Sequence, residues 1–407
     1  MRARDGSIER MDTDVIVVGG GPSGSTAARE IASRGARVLL LDRAKFPRDK
    51  PCGGGVTVRC AALLPFSLDP IIEDVVSAAR LSIGDGREIV RTTKAPLTFM
   101  TQRRRLDAFL VERAQEAGVE FRDGQAVTGA ARRADGIYEV TVGGEVHRAR
   151  VLIGADGANG VVGNRLGYDA IPDGAVALEG NIRFPQGVPP RFRGQVTLNF
   201  GEMPGGYGWV FAKGDHVNVG VGGWRHVVGE RLRPALRDLC LRYGLDPDSV
   251  EGLRGHHLPM QRPGMTIAAM GSAVIGDAAG LVDPLSGEGI YAALASGIAV
   301  APAVRAYLDG AAPSLEGYQT TLRRELLDEV AASAALMDIF HTAPGPFVWL
   351  MQHSGRFWDG ACRLIRGETS YEALTYTLGP AMHAMLGPTA SLGRMVTAKR
   401  LAREAAK

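Results

Sequence analysis

An α/β fold is what this 407-residue sequence predicts: a parallel sheet wound with helices, an inserted domain of antiparallel strands, and a helical C-terminal region. Three observations predict it. Short apolar runs at 15–18, 37–41, 151–154 and 273–276 have the unbroken character of strands buried on both faces. The stretch 176–222 shows partial alternation punctuated by Pro185, Pro189, Pro190, Pro204 and Gly214, which suits a sheet with one face on a core. Beyond Tyr318 the pattern turns helical and amphipathic. The expected order is a disordered leader over 1–10 with Met11 as the working start, a first sheet-and-helix part over 11–170, the inserted sheet domain over 171–262, a return over 263–310, and helices over 311–407.

Composition narrows the function. At 45% hydrophobic and 22% charged residues the chain is globular, and 54 glycines without a three-residue period exclude collagen. Lys+Arg 47 against Asp+Glu 44 gives a net charge of +3, which supplies no footprint for nucleic acid. Cys52, Cys60, Cys240 and Cys362 are too scattered for a disulfide scaffold, and the absence of a Cys-x-x-Cys pair excludes a thioredoxin-reductase dithiol. The longest uncharged apolar run, 289–304, falls short of the roughly 20 residues of a membrane span and contains Pro302. The expected location is the cytoplasm, with peripheral contact at the inner face of the membrane.

The first strand runs directly into Gly19-Gly20-Gly21-Pro22-Ser23-Gly24, and a helix is expected over 23–33. Gly19 permits the tight turn, Gly21 lets a pyrophosphate approach the backbone, and Gly24 lets helix and strand pack closely. The helix N-terminus adds the positive end of its dipole. Asp42 ends the second strand, 18 residues beyond Gly24, where a carboxylate is expected to grip a ribose. The whole constellation predicts a dinucleotide site. Two later strands also end in carboxylates, Asp156 and Asp277, at the strand ends where ligands lie in open α/β sheets. Asp277 is suited to a ribityl or pyrophosphate hydroxyl. His256 and His257 are adjacent and cannot share a strand face, so no metal site is expected.

These ordered segments, Gly19 to Gly24, Ala155-Asp156-Gly157 and Gly276-Asp277, resemble the FAD-dependent family built on the para-hydroxybenzoate hydroxylase fold. The resemblance implies FAD, with the ADP half on the first fingerprint and on Asp42-Arg43, and the ribityl chain on Asp277. It also implies a flavin-contacting basic residue at Arg103, with Arg104 and Arg105 as competing choices from the same run. Lys50-Pro51-Cys52-Gly53-Gly54-Gly55 and Pro204-x-x-Tyr207-x-Trp209-x-Phe211-Ala212-Lys213 are similar to motifs of the geranylgeranyl reductase family, although proline is usual at Ala212. Asp283 to Ile290, with Gly287 and Gly289, resembles that family's flavin-side loop.

From this resemblance the implied function is FAD-dependent reduction of carbon–carbon double bonds in a geranylgeranyl or other isoprenoid chain. NADPH or another two-electron donor is implied, and a prenyl lipid is the expected partner. Cys52, Tyr207 and Trp209 are the implied catalytic residues. Plain sheet core competes with a pocket for Tyr207 and Trp209, and an inert buried thiol competes with a reactive one for Cys52. A flavin monooxygenase or halogenase is the alternative. Trp209-Val210-Phe211-Ala212 partly resembles the halogenase tryptophan motif, but Tyr207 stands where its first tryptophan is expected. The basic end, Lys399, Arg400, Arg403 and Lys407, suits a helix C-terminus or an anionic membrane surface.

Overall fold

The computed structural model describes residues 11–377, apart from 12, 87, 172–173, 202, 261–263 and 343. The expected leader and the basic end at 395–407 lie outside the described residues.

Five parallel strands form the central sheet in the order Ser272–Val274, Val151–Gly154, Val15–Val18, Val38–Leu41, Glu120–Arg122. Alternate residues of the first strand enter two different cores. Val15 and Val17 pack with the helices Pro22–Ala32 and Ile290–Leu308, while Ile16 and Val18 meet a three-stranded antiparallel sheet through Val140 and Ala149. Both faces are covered, which is why these strands read as continuous apolar runs.

The Ile290–Leu308 helix extends the run expected to end near residue 304, and at 19 residues it is long and apolar enough to cross a membrane. Here it is a core element. A side chain at Gly297 would stand 2.7 Å from the Ser23 carbonyl, so the two helices touch backbone to backbone.

The inserted sheet has seven strands in the order Glu251–Leu258, Ala175–Arg183, His216–Trp224, Tyr207–Lys213, Gln195–Phe200, Ala78–Ile83, Ile89–Thr92. The expected purely antiparallel sheet is corrected to a mixed one, because Gln195–Phe200 pairs in parallel with Ala78–Ile83. The hairpin over 78–92 lies inside the stretch assigned to 11–170, yet its Ala79, Leu81 and Ile89 bury against helices beyond 340. Ala78–Ile83 joins this local hairpin to a strand more than 100 residues away, and that long-range pairing leaves no local signal of the sheet.

One face of this sheet, including Val210, Val217, Val219 and Val221, packs on the Leu232–Arg242 helix. The other face, carrying Tyr207, Trp209 and Phe211, looks towards the parallel sheet. Pro344-Gly345-Pro346 separates two C-terminal helices, Asp328–Thr342 and Pro344–His353, and forms the first turn of the second. Proline is favoured in a first helical turn, where its missing N–H costs nothing.

Candidate functional site

A cavity of about 1110 Å³ lies between the ends of the parallel strands and the open face of the mixed sheet. That exceeds the ~300–1,000 Å³ usual for a single small ligand. Its walls include Gly19, Gly21, Pro22, Ser23, Asp42 and Arg43 at one end, and Tyr207, Trp209 and Phe211 at the other.

At the nucleotide end, Gly19 adopts φ +107°, and a Cβ there would fall 2.2 Å from the Ala155 carbonyl oxygen. Only glycine fits. Gly24 is equally tight, with its Cβ position 1.8 Å from the Gly19 oxygen. Gly21 differs: the nearest atoms to its Cβ position are the guanidinium tips of Arg48 and Arg103, at 3.6 and 3.8 Å. Open space above a helix N-terminus, faced by two cations, fits a pyrophosphate.

Arg103 is buried and forms a two-pronged ion pair with Asp107 at 2.8 Å per contact, while Arg48 lies 2.6 Å from Asp107 Oδ2, the oxygen that Arg103 Nη2 also holds. Of the three competing arginines, Arg103 is therefore the one aimed at the cavity. Arg105 turns away to Glu73 and the Pro70 carbonyl. Arg48 carried no sequence signal.

The strand-end carboxylates have distinct jobs. Asp42 accepts the Gly20 N–H at 2.7 Å and the Ala44 N–H at 2.8 Å, so it shapes the glycine loop as well as facing the cavity. Asp156 accepts the Val161 and Val162 N–H groups with one oxygen, capping a short helix, and its buried Oδ1 has no partner in the protein. Burial pushes its carboxyl above the ordinary carboxylate value. Asp277 is met by Lys50 Nζ at 2.9 Å and by His256 Nε2 at 3.7 Å. Burial would raise its pKa, but the Lys50 and His256 contacts outweigh that and hold it well below the carboxylate range.

The open glycine loop, the two arginines, the unpartnered Asp156 oxygen and the ionised Asp277 together fit FAD stretched across the strand ends. Gly287, Gly289 and Ile290 line the same cavity beside Asp277, at the start of the long core helix.

At the other end the loop 52–54 lies directly on the Tyr207–Lys213 strand. Tyr207, Trp209, Phe211 and Lys213 share one face of that strand by its two-residue period. A Cβ on Gly53 would stand 2.9 Å from the Phe211 ring, and one on Gly54, at φ +79°, would strike the Thr101 oxygen at 2.1 Å. The glycines thus let the loop seat on the aromatic strand. The Trp209 indole N–H donates to Asn218 Oδ1 at 2.8 Å, and its ring lies across Gly220, whose Cβ would fall 2.1 Å from it. The Tyr207 hydroxyl donates to the Ser286 carbonyl, joining the sheet to the flavin-side loop.

Cys52 is half-buried, whereas Cys60, Cys240 and Cys362 are buried. Glu179 and Lys213 hold its backbone and were not singled out from the sequence, although Lys213 ends a quoted motif. Glu288, also unassigned from sequence, pairs with Arg59 at 3.4 Å. Burial raises its carboxyl, and Arg59 opposes that rise.

The fold and the cavity define a flavoenzyme, an FAD-dependent oxidoreductase. Residues 12–193 match the FAD binding domain family. The geranylgeranyl diphosphate reductase of Rhodobacter capsulatus is 34% identical over 75% of this chain and 78% of its own length. Among solved structures, a geranylgeranyl bacteriochlorophyll reductase-like protein of Thermoplasma acidophilum superposes with TM-score 0.71, covering 93% of this chain and 99% of the other at 21% identity. A flavin-dependent brominase shares the fold at TM-score 0.69 and 20% identity, covering 87% of this chain and 93% of its own. The chain belongs to the geranylgeranyl reductase family of FAD-dependent oxidoreductases.

Proposed function

We propose that this protein reduces carbon–carbon double bonds in a geranylgeranyl or other isoprenoid chain. The observation that carries the reading is the seating of Cys52-Gly53-Gly54 on Trp209 and Phe211, at the apolar end of the cavity that also holds the dinucleotide loop. FAD, when bound and reduced, supplies a hydride, with NADPH or another two-electron donor replenishing it.

The residues of this chain bind and orient. Arg48, Arg103 and the Gly21 loop hold the diphosphate bridge, and Asp277 holds the ribityl chain. Trp209, Phe211 and Tyr207 bury the prenyl chain, each CH₂ removed from water contributing roughly 0.8 kcal/mol. That force is non-directional, so several prenyl lengths should be accepted, since one methylene distinguishes substrates by only ~1–3 kcal/mol. Cys52, on the loop between the two ends, shapes the flavin-side wall and is the nearest candidate to deliver the second proton. A substrate this apolar is collected from a membrane, which supports a cytoplasmic protein with peripheral membrane contact.

The test is anaerobic incubation of chemically reduced protein with geranylgeranyl diphosphate, a geranylgeranylated lipid and a polyprenyl quinone, followed by mass spectrometry. Products heavier by two hydrogens are expected. Unchanged prenyl compounds, with one oxygen or one halogen added to another substrate in air, would replace this reading with the monooxygenase or the halogenase.

A further inference from the structure

The Cys52 backbone is gripped from both sides by buried charged residues of opposite sign, one on each of the two peptide groups that flank its Cα. Its N–H donates to Glu179 Oε1 at 2.5 Å, and its carbonyl accepts from Lys213 Nζ at 2.9 Å. Glu179 comes from the Ala175–Arg183 strand and Lys213 from Tyr207–Lys213, two strands separated in the sheet by His216–Trp224. Both side chains are almost fully buried, Glu179 at 8% and Lys213 at 4% exposure.

Burying a charge is costly unless it is paired and hydrogen-bonded. Among the described residues no carboxylate lies within ion-pairing distance of Lys213, and its one hydrogen bond is to Cys52. Its stem also packs against Gly54, whose Cβ position is 2.8 Å from both Cε and Nζ. Burial draws the Lys213 ammonium down, opposed first by Cys52 and then by Glu179, and pushes the Glu179 carboxyl up, opposed first by Lys213. An apolar pair would fill this space at lower electrostatic cost. These charges are therefore placed where they act on the one residue between them.

We infer that Glu179 and Lys213 are positioning residues, a two-sided clamp that sets where the Cys52 thiol stands over the aromatic strand. Lys213 lies beneath the loop and Glu179 in the cavity wall, so the clamp works through Cys52. The inference rests on the proposed role of Cys52 only for its effect on turnover. The position of the thiol is measurable without any prenyl substrate.

The experiment follows alkylation of Cys52 by iodoacetamide in FAD-loaded protein, resolved by peptide mass spectrometry. The other three thiols are buried and serve as internal references. Lys213→Met and Glu179→Ala should each change the Cys52 rate roughly tenfold, the effect of losing one hydrogen bond to a charged group. Lys213→Arg should restore it, because a guanidinium can still donate to the carbonyl. Glu179→Gln, whose amide oxygen still accepts the N–H, should remain nearer wild type than Glu179→Ala. With a prenyl substrate, Lys213→Met should lower kcat and leave KM little changed, since the apolar wall is intact. A wild-type Cys52 rate in FAD-loaded Lys213→Met, or equal rates in Lys213→Met and Lys213→Arg, overturns the clamp. Should Lys213→Met fail to fold, equal Cys52 rates in Glu179→Ala and Glu179→Gln overturn it independently. Failure of prenyl reduction with the alkylation pattern intact would overturn the proposed function alone.

Discussion

The Lys50 ammonium stands 2.9 Å from the Asp277 carboxylate, joining two cavity loops separated by 227 residues of sequence. His256 Nε2 approaches the same carboxylate at 3.7 Å, so Asp277 is met from two directions. Asp277→Asn keeps the shape and removes the charge, leaving the Lys50 ammonium without its counter-ion. At pH 7 it should cost about 2–3 kcal/mol, somewhat below the ~3–5 kcal/mol of breaking a fully buried pair.

The pH dependence has a definite sign. The folded pKa lies below the ordinary 3.8, so the unfolded chain binds the proton first as acid is added. The stabilisation is complete above 3.8 and is lost as pH falls below it towards the depressed folded value. Urea midpoints of wild type and Asp277→Asn should therefore converge at low pH. A constant gap from pH 7 to pH 3 would refute this assignment.

Gly21 and Gly24 separate binding from folding. Gly21 has φ −76°, ordinary for any residue, and nothing closer to its Cβ position than an arginine tip at 3.6 Å. Gly21→Val should fold near wild-type stability yet lose FAD on a desalting column, because its side chain occupies the pyrophosphate space. Gly24→Ala meets a backbone oxygen at 1.8 Å and should destabilise at or beyond the upper end of the ~1–3 kcal/mol usual for overpacking. Equal flavin occupancy in wild type and Gly21→Val would remove the FAD placement.

The parallel sheet was legible because its strands are buried on both faces, and the glycine fingerprint because steric limits at Gly19 and Gly24 admit little else. The aromatic strand was legible through its motif and its alternation. The hairpin at 78–92 was not, since its sheet partner lies more than 100 residues away. Arg48 and Glu179 were silent for a related reason: each acts through a contact made by the fold, with Asp107 and Cys52 respectively, and His256, weighed only as a metal ligand, meets Asp277 by the same route. Lys50 and Lys213 stood inside quoted motifs, but a lysine in a motif does not announce whether it is buried.

The basic residues Lys399, Arg400, Arg403 and Lys407 motivate a membrane prediction. The full chain should co-sediment with anionic vesicles at low salt. Raising salt to 1 M should release it, as the screening length falls from ~10 Å at 0.1 M to ~3 Å. Neutral vesicles should bind it more weakly. Paired Lys399→Glu and Arg400→Glu changes should abolish sedimentation and leave FAD content unchanged. A chain that stays in the supernatant with anionic vesicles at low salt disposes of the proposal.

Trp209 and Cys52 should divide substrate binding from turnover. The indole is pinned by Asn218 and lies across Gly220, so its apolar face is presented in one orientation. Trp209→Ala removes part of an aromatic surface of ~150–250 Å² and should raise KM by roughly 10–100-fold, equivalent to about 1–3 kcal/mol. Trp209→Phe should recover most of that affinity, because area rather than the N–H makes the contact. Gly220→Ala should mimic the loss from beneath, since its methyl would displace the ring. Cys52→Ala removes no comparable area, and the Glu179 and Lys213 contacts to its backbone survive the change. It should therefore lower kcat with KM and FAD content near wild type. Steady-state kinetics under anaerobic conditions, with flavin content measured on each sample, distinguish the two. A Cys52→Ala enzyme with unchanged kcat would make the thiol a packing group, and a Trp209→Ala enzyme with unchanged KM would place the prenyl chain elsewhere in the cavity.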